Sequence, residues 1–216
     1  MNETGTTGTT ETPPQPPNAG PPPSPPQWTK ALTSTAPQPG PAGFFYADLP
    51  NRIIAYIIDI IILAVAGIVV GIVLGTIGLN IVTIDLNSAG VVSYNYIAAL
   101  VYGVIGLAIS AGYFIYTWTS MRATIGMRVL GMQIGNAADG ATLTMDQAIR
   151  RWLAVGGWVS IVQFLNPLPL IGVVIGLLAF LYVIYLLYTT ASSPTKQGFH
   201  DVFAHTMVVK AARAVA

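Results

Sequence analysis

An arginine and an aspartate lie seven residues apart in an otherwise apolar stretch, PNRIIAYIIDI at residues 50–60. On an α-helix this spacing puts Arg52 and Asp59 within about 20° of each other around the axis and about 10 Å apart along it. They share a helix face but are too far apart to pair in a straight helix. A charged aspartate at the centre of a membrane helix costs about 3 kcal/mol on insertion scales, and less near the helix end.

Asp59 is therefore expected to be protonated, to face water, or to pair with a cation from another segment. The available basic partners near the same membrane face are Arg122, Arg128 and Arg150. Two interpretations stay open. Asp59 is either an ion or proton site, or half of a structural ion pair that holds the first helix to a loop.

A second polar group is His200, Asp201 and His205, in the pattern H-D-x-x-x-H. Zinc-binding histidines on one helix lie four residues apart, so this spacing does not predict a metal site. The sequence contains no nucleophile elbow, phosphate-binding loop or dinucleotide fingerprint. We expect neither enzymatic activity nor a cofactor.

Composition places these residues in a membrane protein. The chain is 53% hydrophobic and 8% charged, whereas soluble domains carry about 25% charged residues. The formal net charge of +1 gives no reason to expect nucleic acid, and the absence of cysteine excludes disulfides and thiol chemistry. The stretch MNETGTTGTTETPPQ lacks the basic and apolar regions of a signal peptide, so the first span is expected to direct insertion.

The N-terminal residues 1–43 differ in composition from the rest. Of the 16 prolines, 13 lie at or before Pro50. Such a stretch cannot bury enough apolar surface to offset its ordering entropy, which predicts a disordered tail. Its PxxP spacing would suit the groove of a proline-binding cytoplasmic partner, and a solvated tether is the simpler alternative.

Apolar runs long enough to cross a membrane, about 20 residues each, follow the tail. A long apolar region near the C-terminus is interrupted by NPLP at 166–169, where two prolines should break a helix. The piece before this break is short, and is either a short span or a re-entrant helix. The expected spans are residues 53–79, 96–118, 152–165 and 170–189.

The distribution of basic residues predicts the orientation of these spans. The connection between the first two spans, residues 80–95, has no lysine or arginine, whereas residues 120–151 contain four arginines. The positive-inside rule places the N-terminus, the arginine-rich loop and the short C-terminal tail (211–216) in the cytoplasm. We therefore expect an all-α, four-span helical bundle over residues 44–210, with three spans and an outside C-terminus as the alternative.

The loop before the third span has its own helix signals. Thr144 and Gln147 form a capping-box pattern, and Asp146 lies in the first turn, where the helix dipole favours an acid. A helix is expected to begin near Met145. Upstream, the segments MQIG and ATLT flank the turn NAADG and are expected to form a small hairpin.

Two further groups indicate contacts with lipid and between helices. Three glycines spaced by four residues form a ridge that lets helices approach closely, either within the chain or in a homo-oligomer. Three arginines near the inner membrane face would suit lipid headgroups. The glycines are Gly67, Gly71 and Gly75, and the arginines are Arg122, Arg150 and Arg151.

Three segments, FFYADLPNRIIAYIIDIIIL, TIGMRVLGMQI and QGFHDVFAHTMVVK, occur in an order that resembles the RDD family of small bacterial membrane proteins. The resemblance covers residues 44–210, and the proline-rich start is similar to the proline-rich-antigen type. The family is named for one arginine and two aspartates. The matching positions are Arg52, Asp59 and Asp201.

The resemblance implies a polar cluster of these three residues at the inner membrane face, with Arg128 nearby. It also implies the bacterial plasma membrane, and a transport role such as exchange of a monovalent cation for protons. The alternative is a membrane scaffold whose polar triad is structural and whose tail recruits a cytoplasmic partner.

Overall fold

A computed structural model describes residues 38–85, 90–158 and 169–211. All of them belong to one compact unit, Pro37–Ala216. Most of the predicted tail, residues 1–43, lies outside the described residues, as does half of the third expected span, 152–165. The start of that span continues the preceding helix as a π-helical turn, Leu153–Gly157.

The described chain is mainly helical. Its α-helices are α1 (Leu49–Thr76), α2 (Tyr96–Ser120), α3 (Ile125–Val129), α4 (Met145–Trp152), α5 (Pro169–Ser192) and α6 (Phe199–Phe203). Its strands are β1 (Phe44–Tyr46), β2 (Val82–Asp85), β3 (Val91–Tyr94), β4 (Met132–Asn136) and β5 (Thr206–Ala211), and a 3-10 turn, Pro41–Gly43, precedes β1.

Three helices in the described part of the chain, α1, α2 and α5, are long and apolar enough to cross a membrane. At most 11% of the residues in the most apolar window of each helix are buried within the chain. Ile61, Ile68 and Ile72 of α1, for example, are each more than half exposed. Such surfaces are suited to lipid, so the chain is an integral membrane protein.

Helix α1 begins at Leu49, four residues before the expected start of the first span. Pro50 lies in its first turn, where the missing amide hydrogen costs nothing. Helix α4 begins at Met145 as expected, because the Thr144 and Gln147 side chains bond each other's backbone amides in the predicted capping box.

The all-α expectation is wrong in one respect, since strands β1, β5 and β4 form an antiparallel sheet in that order. The central strand β5 pairs Val209 with Tyr46 on one side and Met207 with Gly135 on the other. Strands this short, with partners many residues away, leave little periodic signal in the sequence.

The hairpin expected from MQIG and ATLT is also replaced by this sheet. Strand β4 contains MQIG but pairs with β5, and ATLT meets β4 through a turn bond from the Asn136 amide to the Ala141 carbonyl at 2.9 Å. The remaining strands, β2 and β3, form an exposed two-stranded hairpin between α1 and α2.

The buried core lies where the three-stranded sheet meets the helix ends. Ile134 of β4 and Val208 of β5 are fully buried, and they belong to the same cluster as Trp118 at the end of α2 and Trp152 at the end of α4. The sheet gathers the segment before α1, the loop after α2 and the segment after α5 into one platform. This platform positions the polar residues described next.

Candidate functional site

Asp201 lies at the centre of a buried ion-pair cluster. Its side chain is 0% exposed, and its two carboxylate oxygens accept from different arginines. Arg52 Nη1 donates to Asp201 Oδ2 at 2.6 Å, and Arg151 Nη1 donates to Oδ1. The Gly198 amide adds a third donor at 3.1 Å. The carboxylate therefore joins the first turn of α1 and the last turn of α4 to the start of α6.

Further hydrogen bonds, one to the backbone and one to a side chain, fix the two arginines. Arg52 Nε donates to the Ala47 carbonyl at 3.0 Å, and Arg151 Nη1 also donates to Thr206 Oγ1 at 2.5 Å. Gly198 must be a glycine here, because an added Cβ would lie 2.2 Å from Thr190 Oγ1 of α5. The cluster thus holds α1, α4, α5, α6 and β5 together.

Opposite charges keep Asp201 ionised. Burial by itself raises the pKa of Asp201, but the neighbouring charges of Arg151 and Arg52, joined in acid by that of protonated His200, outweigh it and hold the pKa well below its usual range. Burial lowers the pKa of His200 to about 4, so this imidazole is neutral at pH 7. Two arginines then face one aspartate, and the cluster retains a positive charge.

Arg151 keeps one hydrogen-bond donor without a partner among the described residues after these contacts. Its side chain is 3% exposed and its guanidinium lies 5.3 Å from the centre of the Trp118 ring. Its Nε and the Nδ1 of His200 are buried and have no hydrogen-bond partner. Unpaired buried polar atoms are rare in folded proteins, and the Arg151 Nε donor is a candidate ligand contact.

Asp59 belongs to a second cluster, built from neutral donors. The residue is 2% exposed. Tyr113 Oη donates to Asp59 Oδ1 at 2.6 Å, Thr124 Oγ1 donates to Oδ2 at 2.6 Å, and the Gly126 amide donates to Oδ1 at 2.8 Å. Within the described ranges no ion pair involves Asp59. Its partners differ from the arginines that charge reasoning suggested.

The close approach of α3 to α1 makes this second cluster possible. An added Cβ on Gly126 would lie 2.1 Å from the Ala55 carbonyl oxygen, so only glycine lets the α3 amide reach the carboxylate. Thr124 caps α3 by accepting from the Met127 amide at 3.1 Å and also donates to Asp59. The segment T-I-G therefore carries two of the three donors.

A cavity of about 260 Å³ lies beside both clusters. Its wall is formed mainly by apolar side chains of α1, α2 and α5, and its polar lining comes from the two clusters. The polar lining residues are Arg52, Asp59, Thr124, Arg151, Thr190 and His200.

The other arginines named from the sequence occupy separate places. Arg128 is exposed and donates to the Met121 carbonyl at 3.4 Å, apart from both aspartates. Arg150 is exposed and pairs with Asp146 at 3.0 Å. Arg122 donates to the Gly140 carbonyl of the loop after β4. The buried Arg151 belongs to the Asp201 cluster, so the three arginines named for lipid headgroups have different surroundings.

The glycine ridge makes a single hydrogen-bonded contact with another described helix. Tyr102 of α2 donates to the Gly71 carbonyl at 3.1 Å. An added Cβ on Gly67 would meet nothing within 4 Å, and one on Gly75 would lie 3.5 Å from Asn80 Oδ1. At Gly67 the ridge is thus free of close contacts with the described part of the chain.

Sequence reasoning missed the roles of Arg151, Tyr113 and Gly126. A signal for Arg151 was available, because Asp146 pairs with Arg150 on the exposed face of α4 and leaves Arg151 on the face of the buried Ala148 and Trp152. Tyr113 and Gly126 carry no charge, so electrostatic reasoning had no means of assigning them to Asp59.

These features define a small membrane protein in which two buried aspartates link the spans to a sheet-containing platform. The family model described as the RDD family matches residues 46–205, and the chain belongs to this family. The match confirms the resemblance and contains Arg52, Asp59 and Asp201. No curated protein and no solved structure matches the chain. Among the described residues, no group of three acids, histidines or cysteines could hold a metal ion.

Proposed function

We propose that this RDD-family protein exchanges a monovalent cation for protons, with Asp59 as the group that takes up either one. The observation that supports this function is a buried membrane-helix carboxylate held by two hydroxyl groups and one amide. It borders a cavity and has no ion-pair partner among the described residues. Fixed arginine counter-ions hold Asp201 in one charge state. Asp59 has no such counter-ion among the described residues.

The hydroxyl donors suit a carboxylate that changes its charge. Tyr113 and Thr124 donate to the ionised form, and a hydroxyl hydrogen can rotate so that its oxygen accepts from the protonated form. In the cation-bound form, the same hydroxyl oxygens and the Asp59 carboxylate would supply the oxygen ligands that hard cations prefer. Arg52 and Asp201 have the supporting role of fixing the end of α1.

A scaffold function is the second candidate, and a different observation favours it. The Asp59 cluster is fully hydrogen-bonded and the cavity beside it is mainly apolar, as expected for a structural clamp between α1 and α3. In this case the proline-rich N-terminal residues would recruit a cytoplasmic partner. Four spans are also few for a carrier, so transport would require a homo-oligomer.

We also infer four membrane crossings, with both chain ends in the cytoplasm of a bacterial cell. Strands β4 and β5 pair directly and so lie on the same side of the membrane. Between them the chain must cross an even number of times, and α5 supplies one crossing. Arginines 122, 128 and 150 flank the platform, whereas residues 80–95 contain no basic residue, which supports a cytoplasmic platform.

Proton flux in proteoliposomes tests the exchange function. The purified full-length chain would be reconstituted with a pH-sensitive dye inside, and gradients of sodium, potassium or lithium would be imposed. We expect cation-dependent proton movement in the wild type, a loss of roughly a hundredfold in Asp59→Asn, and normal flux in Asp146→Asn, an exposed control.

The outcomes separate the two functions. Absence of flux in intact wild-type protein rejects exchange. Flux that survives unchanged in Asp59→Asn rejects Asp59 as the exchanging group. If flux is absent and the N-terminal residues retain a cytoplasmic protein in pull-down experiments that a chain lacking residues 1–43 does not, the scaffold function is supported.

A further inference from the structure

We propose that the cavity between α1 and α5 binds an anionic membrane lipid, with its phosphate against the Arg52–Arg151–His200 end and one acyl chain along the apolar wall. This site goes beyond cation exchange at Asp59, and its test uses binding without transport. Two properties of the cavity carry the proposal: the unbalanced charge at one end and the shape of the apolar wall.

The charged end has capacity left for an anion. Asp201 neutralises one of the two arginines, and His200 adds no negative charge. Asp59 also lines the cavity, but its carboxylate accepts from Tyr113, Thr124 and Gly126 and not from these arginines. Arg151 lines the cavity, is 3% exposed, and has a buried Nε without a partner. A phosphate has the acceptor oxygens and the charge to satisfy the Arg151 guanidinium.

The wall beyond this end matches a hydrocarbon chain. The lining includes Ile53 and Ile57 of α1 and Val183 and Leu187 of α5. All four are lining residues of helices whose outer surfaces suit lipid. The cavity volume of about 260 Å³ is below the usual range for whole drug-sized ligands, about 300–1,000 Å³. It therefore suits part of one acyl chain better than a complete two-chain lipid.

A soluble anion is a poorer match for this geometry. The cavity opens between apolar helices, so a bare phosphate would lose hydration without gaining contacts along most of the wall. Basic pockets between membrane helices on the cytoplasmic side are a recognised way to hold lipid headgroups. The chemistry that the site recognises is thus one acyl chain joined to a phosphate ester.

Equilibrium binding of radiolabelled lysophosphatidylglycerol to the delipidated full-length protein in neutral detergent tests this site. This probe has one acyl chain and one phosphate. We expect saturable binding, competition by the unlabelled lipid, and at least about tenfold weaker competition by lysophosphatidylcholine of the same chain length, because its choline cancels the phosphate charge. Glycerol phosphate, which lacks the chain, is expected not to compete.

Two pairs of variants locate the site. Val183→Trp fills the cavity without changing a charge, and Val173→Trp places the same side chain on an exposed part of α5 outside the cavity lining. Arg151→Lys removes the guanidinium, and Arg150→Lys does so at the exposed neighbour. We expect the dissociation constant to rise about tenfold in Val183→Trp and Arg151→Lys, and to stay within about twofold of wild type in the two controls.

Several results would overturn the proposal. Equal competition by lysophosphatidylcholine would show that the site does not recognise an anionic headgroup. Wild-type binding by Val183→Trp would show that the lipid does not bind in the cavity. Tighter binding of a fatty acid of the same chain length would assign the site to a free carboxylate instead of a phospholipid. Each of these results leaves the proton-flux experiment on Asp59 unaffected.

Discussion

At the scale of single residues, two buried aspartates of one chain have different surroundings, one charged and one neutral. Asp201 accepts from two arginines, and these charges hold its pKa well below its usual range. Asp59 accepts from two hydroxyls and one amide. Removing one member of a buried ion pair typically costs 3–5 kcal/mol because the other charge is left buried. Asp201 is therefore suited to fix the structure, whereas Asp59, which has no ion-pair partner among the described residues, is the group to which the proposed exchange assigns the change of charge.

The neighbouring His200 makes the platform sensitive to acid. Its pKa is about 4 when folded and 6.5 when unfolded, so the unfolded chain binds the proton first as the pH falls. The contribution of neutral His200 to the free energy of unfolding is fully present above pH 6.5 and decreases toward pH 4, by up to roughly 3 kcal/mol. The depressed pKa of Asp201 acts in the same direction, but below its unfolded value of 3.8.

Thermal unfolding of the detergent-solubilised protein between pH 7 and pH 4.5 measures this effect. We expect the wild-type midpoint to fall over this range and the fall to be clearly smaller in His200→Asn, whose side chain does not titrate. His205→Asn is the matched control, because His205 is exposed and asparagine tolerates its positive φ of 52°. Equal slopes in wild type and His200→Asn would show that this histidine is not the sensor.

At the scale of secondary-structure elements, the contact between α1 and α3 depends on the absence of one side chain. The Gly126 amide reaches Asp59 across the Ala55 backbone, and an added Cβ would lie 2.1 Å from the Ala55 carbonyl oxygen and 3.0 Å from Asp59 Oδ1. Neither atom is the free end of a flexible side chain. The short helix must therefore move away from α1 if Gly126 is replaced.

We expect Gly126→Ala to lower stability by about 1–3 kcal/mol, the usual cost of overpacking a close contact, and to weaken the hydrogen bonds to Asp59. Gly106→Ala is the control, because Gly106 lies in α2 with nothing within 4 Å of an added Cβ, where alanine is the better helix former. The midpoint of thermal unfolding in detergent compares the two. A Gly126→Ala protein as stable as Gly106→Ala would contradict the observed contact.

The elements differ in how far the sequence alone could predict them. Hydropathy predicted α1, α2 and α5 to within a few residues, and the capping box predicted the start of α4. The three-stranded sheet was missed because β1 has three residues and its partner β5 lies beyond all three spans. The charges suggested arginine partners for Asp59, but the hydroxyls of Tyr113 and Thr124 and the amide of Gly126 occupy that place.

At the scale of the whole molecule, the sheet constrains the path of the chain through the membrane. Strand β1 precedes α1, β4 follows α2, and β5 follows α5, yet all three pair in one sheet. The three segments must therefore lie on one side. In the proposed arrangement, two crossings, α1 and α2, return the chain to the platform before β4, and the β2–β3 hairpin between them lies on the opposite side.

The chain contains no cysteine, so single introduced cysteines can map this path without background. We expect a membrane-impermeant maleimide to label Ser93→Cys in the β2–β3 hairpin of intact cells, and to label Ala138→Cys in the turn after β4 only after the cells are permeabilised.

Asn166→Cys, between the last two expected spans, is expected to behave like Ser93→Cys, because an even number of crossings between β4 and β5 places this break outside. If Asn166→Cys requires permeabilisation although Ser93→Cys does not, the four-span arrangement is wrong, because the segment before α5 then does not cross the membrane. Labelling of Ala138→Cys in intact cells would reverse the orientation and place the platform, with both buried aspartate clusters at its edge, on the outer face.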